Sequence, residues 1–143
     1  MKRRCIFCKI PNDPESNRIV VENERLYVIE DIRPCAALHF LVIPKRHIFD
    51  CRSLHASDLD LLNEMETIGR KVLREHGASD NVILGFHDRP WTSIHHLHLH
   101  CIGLPFKNCW SKSSHSRPFF ISLDKLRKRY EYTCFQQMQR HMT

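Results

Sequence analysis

At 143 residues the chain has the length of one domain with a single hydrophobic core. Its 42% hydrophobic and 27% charged residues are ordinary for a globular protein. No apolar run approaches the ~20 residues that span a bilayer, so no membrane partner is expected. The formal charge of +6 suits an anionic ligand such as a phosphate or a nucleic acid, and equally a solubilising surface.

The basic start, MKRRCIFC, is followed by no long apolar segment, so no signal peptide is expected. Seven cysteines are an odd number, and the chain is neither short nor loop-rich. A reducing compartment, cytoplasm and nucleus, is therefore expected, where a Cys-x-x-Cys pair means metal or redox chemistry more often than a bridge. Residues 18–21 and 26–30 are β-rich runs joined by the polar turn Glu22-Asn23-Glu24-Arg25, and predict two strands. His39 to Ile43 predicts a third, stopped by Pro44, which cannot donate to a ladder.

Ser57 to His76 carries the clearest helical pattern. Leu61, Leu62, Met65, Ile68, Val72 and Leu73 form one apolar stripe, read as core. Ser57 is the expected cap, with Asp60 three positions on, and Gly77 the expected left-handed stop. Val82 to Phe86 predicts a fourth strand and Ile94 to Ile102 a fifth, with a loop through His87 to Trp91 between them. Beyond Pro105 the pattern weakens. A second helix is expected from near Ser122 through the basic cluster Lys125, Arg127, Lys128 and Arg129. Strands without regular βαβ alternation predict an α+β fold with a largely antiparallel five-stranded sheet, one long helix and a C-terminal helix. With no repeat and no linker, residues 1–143 are read as a single domain.

Histidine is the compositional oddity: eleven in the chain, four of them between 95 and 100. Along a strand side chains alternate faces, so His96, His98 and His100 project from one side, and Leu97, Leu99 and Cys101 from the other. Three imidazoles on one face repel when protonated and need partners when buried. The apolar residues between them argue against a merely solvated surface; a three-histidine metal site remains the other option. Cys5 and Cys8 have the spacing at which two thiolates reach one ion. They make half a tetrahedral site, or else two free core cysteines.

His96-Leu97-His98-Leu99-His100-Cys101-Ile102 resembles the His-φ-His-φ-His-φ-φ signature of the histidine triad superfamily, φ being apolar. Cys5 to Ile10, Glu30 to Pro34 and His39 to His47 resemble further family segments in the family's order, so the likeness runs over residues 5–103. Gly85-Phe86-His87 and Ser93-Ile94-His95-His96 are similar to the branch holding the third histidine triad nucleotide-binding protein and aprataxin, which removes AMP from DNA 5′ ends. Residues 104–143 are read as a C-terminal extension from which no role is carried over.

The resemblance implies a chemistry. His98 attacks the α-phosphorus of a nucleotide ester or phosphoramidate, and water hydrolyses the nucleotidyl-imidazole. His98 must then present a bare nitrogen while its other nitrogen donates to an acceptor. His100 stabilises the phosphate, Ser93 helps protonate the leaving group, and His87 lies beside the phosphate. Ile6, Phe7 and Ile32 hold the nucleoside, and Asp31 accepts the ribose hydroxyls. The resemblance also implies a closed structural zinc site of Cys5, Cys8, His47 and His96, no organic cofactor, and a homodimer joined edge to edge. Cys35, Cys51, Cys101, Cys109 and Cys134 are read as ordinary residues.

Two features depart from aprataxin. Cys35 stands where that protein has a lysine, and the last segment offers Cys134 and His141 but no zinc-finger quartet. The expected function is hydrolysis of adenosine 5′-monophosphoramidate, with a purine nucleotide as substrate. Removal of AMP from nucleic-acid 5′ ends and a nucleotide-binding scaffold role are the alternatives.

Overall fold

A computed structural model describes residues 4–13, 15, 16, 18–116 and 118–141; the first three residues of the basic start lie outside these. The elements run α1 (Ile6–Lys9), β1 (Ile19–Glu22), β2 (Leu26–Glu30), β3 (Ala36–Pro44), α2 (Leu59–Glu75), β4 (Val82–His87), β5 (Leu99–Phe106), α3 (Cys109–Ser114), β6 (Phe120–Ser122) and α4 (Leu123–His141). The α+β class is as expected. The antiparallel sheet has six strands rather than five, in the order β1-β2-β3-β5-β4-β6.

Strand alternation sorts the sheet into two faces. Leu26, Val28, Phe40, Val42, Leu99 and Cys101 turn to one side, where Leu61, Leu62, Met65, Val72 and Leu73 of α2 and Leu126 of α4 complete the main core. Each such fully buried aliphatic side chain is worth about 1.5–3 kcal/mol over its exposed state. Tyr27, Ile29, Leu41 and Ile43 turn to the other side, against Phe7 and Ile10 of the N-terminal segment. The Tyr27 hydroxyl donates to the Phe7 carbonyl at 2.6 Å and fixes that segment on the sheet.

The fifth strand is where expectation and structure differ most. It starts at Leu99, not at Ile94, because its neighbour β3 ends at Pro44 and the last pair is Val42 with Leu99. The Leu97 N–H instead donates to the Ile48 carbonyl at 2.7 Å. His96 and His98 therefore precede the strand, yet Leu97, Leu99 and Cys101 all reach the main core, so the alternation survives. Pro44 is itself the last residue of β3, which begins at Ala36 rather than His39.

Ser57 does not cap the long helix. It sits inside a 3-10 turn, Ala56–Asp58, whose capping box joins His55 and Asp58; the Asp58 carboxylate accepts the His55 N–H at 2.9 Å. Gly77 does end the helix region with φ +90°. The C-terminal helix starts at Leu123, immediately after the sixth strand. That strand pairs with Gly85–His87 of β4, and a Cβ at Gly85 would fall 2.5 Å from the Ile121 carbonyl oxygen, so only glycine admits it.

Candidate active site

The alternation of β2, β3 and β5 leaves a cavity of about 430 Å³ on the histidine side. Phe7 from α1, Asp31 after β2, His39 from β3, His87 from β4, and His98 and His100 at β5 all reach it. Ile6, Ile32 and Ser93 line its mouth. Phe7 is buried, whereas Ile32 is 76% exposed, so Ile32 is no part of the core. All eight residues expected around a nucleotide thus meet at one cavity.

His98 has the arrangement a nucleophile needs. Its Nδ1 lies 2.6 Å from the His96 carbonyl oxygen, and a carbonyl can only accept, so the proton is on Nδ1 and Nε2 is bare. The edge of Phe7 packs against the ring, with centroids 5.3 Å apart. Burial lowers the His98 pKa and keeps the ring neutral.

His100 is oriented through a chain that starts at the backbone. The Cys35 N–H donates to His39 Nδ1 at 3.1 Å. Burial holds His39 neutral, with its pKa lowered to about 4, so its one proton is on Nε2. That nitrogen lies 2.9 Å from His100 Nδ1 and 3.4 Å from Asp31 Oδ2. His100 then carries its own proton on Nε2, which is buried and has no partner among the described residues. Such a donor suits an anionic phosphate oxygen. Asp31 Oδ1 accepts the Arg33 N–H at 2.8 Å, while Oδ2 faces the histidines.

The loop bearing Ser93 is anchored by ion pairs. Asp50, almost fully buried, accepts the N–H groups of Arg52 and Ser53 and pairs with Arg89, while Arg52 pairs with Asp88 at 2.7 Å. His95 is exposed and stacks on Phe49 at 4.6 Å, outside the cavity lining. Ser93 is exposed at the cavity rim.

A second cluster lies behind the first. The ligand-capable atoms of Cys5, Cys8, His47 and His96 all lie within 4.8 Å of one another. Cys5 Sγ and Cys8 Sγ are 3.4 and 3.5 Å from His96 Nδ1, Cys8 Sγ is 3.3 Å from His47 Nδ1, and the two Nδ1 atoms are 3.1 Å apart. A zinc tetrahedron with ordinary bond lengths has edges of about 3.5 Å between S and N and about 3.4 Å between two N. His96 Nε2 donates to the Pro44 carbonyl at 2.7 Å, which frees Nδ1 to ligate. The donor set and spacing fit a tetrahedral ion with no open position.

Two site residues went unmarked in the sequence. His39 looked like one more strand residue, although a histidine within an apolar run facing His100 was a signal. His115, at the end of α3, also lines the cavity and had no periodicity or motif to single it out.

Residues 4–116 match the family described as "Scavenger mRNA decapping enzyme C-term binding". The chain is 36% identical over 130 residues to the adenosine 5′-monophosphoramidase HINT3 of Danio rerio, covering 87% of this chain and 81% of that protein. It is 37% identical over 112 residues to the bifunctional adenosine 5′-phosphosulfate phosphorylase/adenylylsulfatase HINT4 of Arabidopsis thaliana, covering 77% of each. Among solved structures, a HIT family hydrolase from Clostridium thermocellum superposes with a TM-score of 0.64 at 30% identity, covering 73% of this chain and 94% of that one. The aprataxin ortholog Hnt3 in complex with DNA shares the fold, with a TM-score of 0.61 at 17% identity over 83% of this chain and 70% of that one. With the triad motif seated at the cavity and these relatives spanning most of its length, this chain belongs to the histidine triad superfamily.

Proposed function

We propose that the chain hydrolyses the phosphorus–nitrogen bond of adenosine 5′-monophosphoramidate and related nucleotidyl amines, through a covalent nucleotidyl-His98 intermediate. The observation that carries this reading is the bare Nε2 of His98, set by the His96 carbonyl and opening on the same cavity as the unpartnered Nε2–H of His100. The relatives named adenosine 5′-monophosphoramidase support the substrate class. His98 attacks the α-phosphorus, His100 Nε2–H binds the oxygen on which charge develops, and Ile6, Phe7, Ile32 and Asp31 hold the nucleoside. His87, whose pKa burial lowers to about 4, is a neutral wall beside the phosphate.

The same reading includes a structural zinc held by Cys5, Cys8, His47 and His96. When bound, that ion would tie the N-terminal segment, which carries Ile6 and Phe7, to the residue two before the nucleophile. It also includes a homodimer, for which the unpaired outer edge of β1, with Val20 and Val21 partly exposed, is available.

The rival is hydrolysis of adenylated nucleic-acid ends. Lys125, Lys128 and Arg129 are exposed on α4, but Arg127 is tied to Glu66 and Asp124, which breaks the basic track. The test compares kcat/KM for adenosine 5′-monophosphoramidate and a nicked 5′-adenylated duplex, in wild type and His98→Asn. The small substrate is expected to be preferred, and the Asn variant to bind AMP without turnover. Near wild-type kcat in the variant refutes the nucleophile. A preference for the duplex that shrinks steeply with salt favours the rival.

A further inference from the structure

We infer that His115 is a further catalytic residue, the acid that delivers a proton to the nitrogen leaving the phosphorus; this rests on the hydrolase reading above. His115 closes α3, outside the triad, and lines the same cavity as His98 and His100. Its Nδ1 lies 2.8 Å from the Ser111 carbonyl oxygen, which only accepts, and 3.0 Å from Ser114 Oγ, whose own proton goes to that carbonyl at 3.0 Å, so Nδ1 carries a proton. The exchangeable position is therefore Nε2, which is buried and has no partner among the described residues.

The surroundings favour this ring over its neighbours. His115 packs against His87, His100 and His39, with centroids 4.8, 5.6 and 5.7 Å apart, and against Phe106 and Phe120. Nitrogens of His87, His100 and His115 lie within 4.8 Å of one another, close enough to surround one phosphoryl group and its substituent. His39 and His100 are committed to each other through the Cys35 chain, and His98 to attack. Ser93 is exposed at the rim, whereas the His115 Nε2 is buried inside the cavity. A second cavity of about 360 Å³, lined by Trp91, Trp110, Ser113, Ser114 and Phe119, opens from the residues just before His115 and shares His87 with the first. His115 thus lines the phosphate cavity and directly follows two residues that line the second.

The proton count closes. The His98 Nε2 lone pair forms the bond to phosphorus as the phosphorus–nitrogen bond breaks. In this cycle His115 enters as the imidazolium, with protons on both nitrogens; the released pair takes the one on Nε2, the ring is left neutral with Nδ1–H, and the amine leaves neutral. In the second half a water oxygen attacks phosphorus, the bond to His98 breaks with its pair returning to Nε2, and the water proton goes to His115 Nε2. AMP leaves and both rings regain their starting states.

The test uses the full chain and two substrates that differ only in the need for that proton. An AMP N-alkylamidate has a leaving amine that must be protonated, whereas the p-nitrophenyl ester of AMP expels a stable anion. The readout is the initial burst of leaving-group release, which reports the first step alone. His115→Ala and His115→Asn are compared with wild type, the Asn amide keeping a donor to the Ser111 carbonyl. Both variants are expected to lose about 10²–10³-fold on the amidate and less than about 10-fold on the ester, the range a positioned acid supplies. Melting temperature and AMP affinity establish that the Asn variant is folded and binds. Equal losses on both substrates would make His115 a phosphate contact and overturn the inference, as would an undiminished burst on the amidate; either leaves the hydrolase reading standing. Wild type inert on both substrates would refute that reading and this one with it.

Discussion

Replacing His39 with phenylalanine tests the tautomer chain behind the active site. Phenylalanine fills similar space in a residue that is 4% exposed, but removes both ring nitrogens. The buried Cys35 N–H then loses its acceptor, which costs about 1–3 kcal/mol, and the His39–His100 hydrogen bond is lost at about 1 kcal/mol. The apolar ring recovers part of this, so a net destabilisation of about 2–3 kcal/mol is expected. The catalytic effect should be larger. Without the His39 donor, the His100 proton is free to move to Nδ1, which faces Asp31 Oδ2 at 4.0 Å, and Nε2 turns bare toward the phosphate. Losing one donor to developing charge lowers kcat by about 10²–10³. The assay is kcat and KM on adenosine 5′-monophosphoramidate, urea unfolding, and ¹⁵N shifts of His100 to identify its tautomer. A folded variant with kcat within about 5-fold of wild type would refute the chain from Cys35 to the phosphate.

Stability should also depend on acid. His39 and His87 have folded pKa values lowered to about 4, by burial, so between there and their unfolded value the unfolded chain binds more protons. Stability is therefore complete above about pH 6.5 and falls as pH drops toward 4; these two rings alone bring the uptake on unfolding toward two protons, or about 2.7 kcal/mol per pH unit, and His98 and His100, also lowered by burial, steepen it further. Urea unfolding at a series of pH values measures the slope, from which His39→Phe should remove one proton's share, about 1.4 kcal/mol per pH unit. Gly69→Ala places a methyl 2.5 Å from Cys101 Sγ and 3.3 Å from Val42 Cγ2. Overpacking costs about 1–3 kcal/mol against about 1 kcal/mol gained in helix propensity, so calorimetry should find a net loss that Cys101→Ala relieves. Cys8→Ser should lose bound zinc and lower the melting temperature together, measured by metal analysis and calorimetry; wild type purified without chelator and free of metal would refute the zinc site.

Periodicity and spacing were legible wherever the relevant contact is local. The stripe of α2 faces the core because a helix repeats every 3.6 residues, and Leu97, Leu99 and Cys101 reach that core because an extended chain alternates even beyond its ladder. The resemblance supplied what spacing lacked, namely which histidines go with Cys5 and Cys8, and which side chains gather round His98. Tertiary structure decided the rest. Where β5 begins depends on where β3 stops, and the sixth strand is three residues long and exists because Gly85 leaves room for it. No side chain of α3 is buried, so its sequence carries no apolar period to read, yet it delivers His115 to the cavity. Protonation was equally out of reach. Which nitrogen of His98 is bare, and which nitrogens of His100 and His115 present a proton to the cavity, depends on the carbonyls of His96 and Ser111 and the N–H of Cys35, and only the folded chain brings these partners within hydrogen-bonding distance.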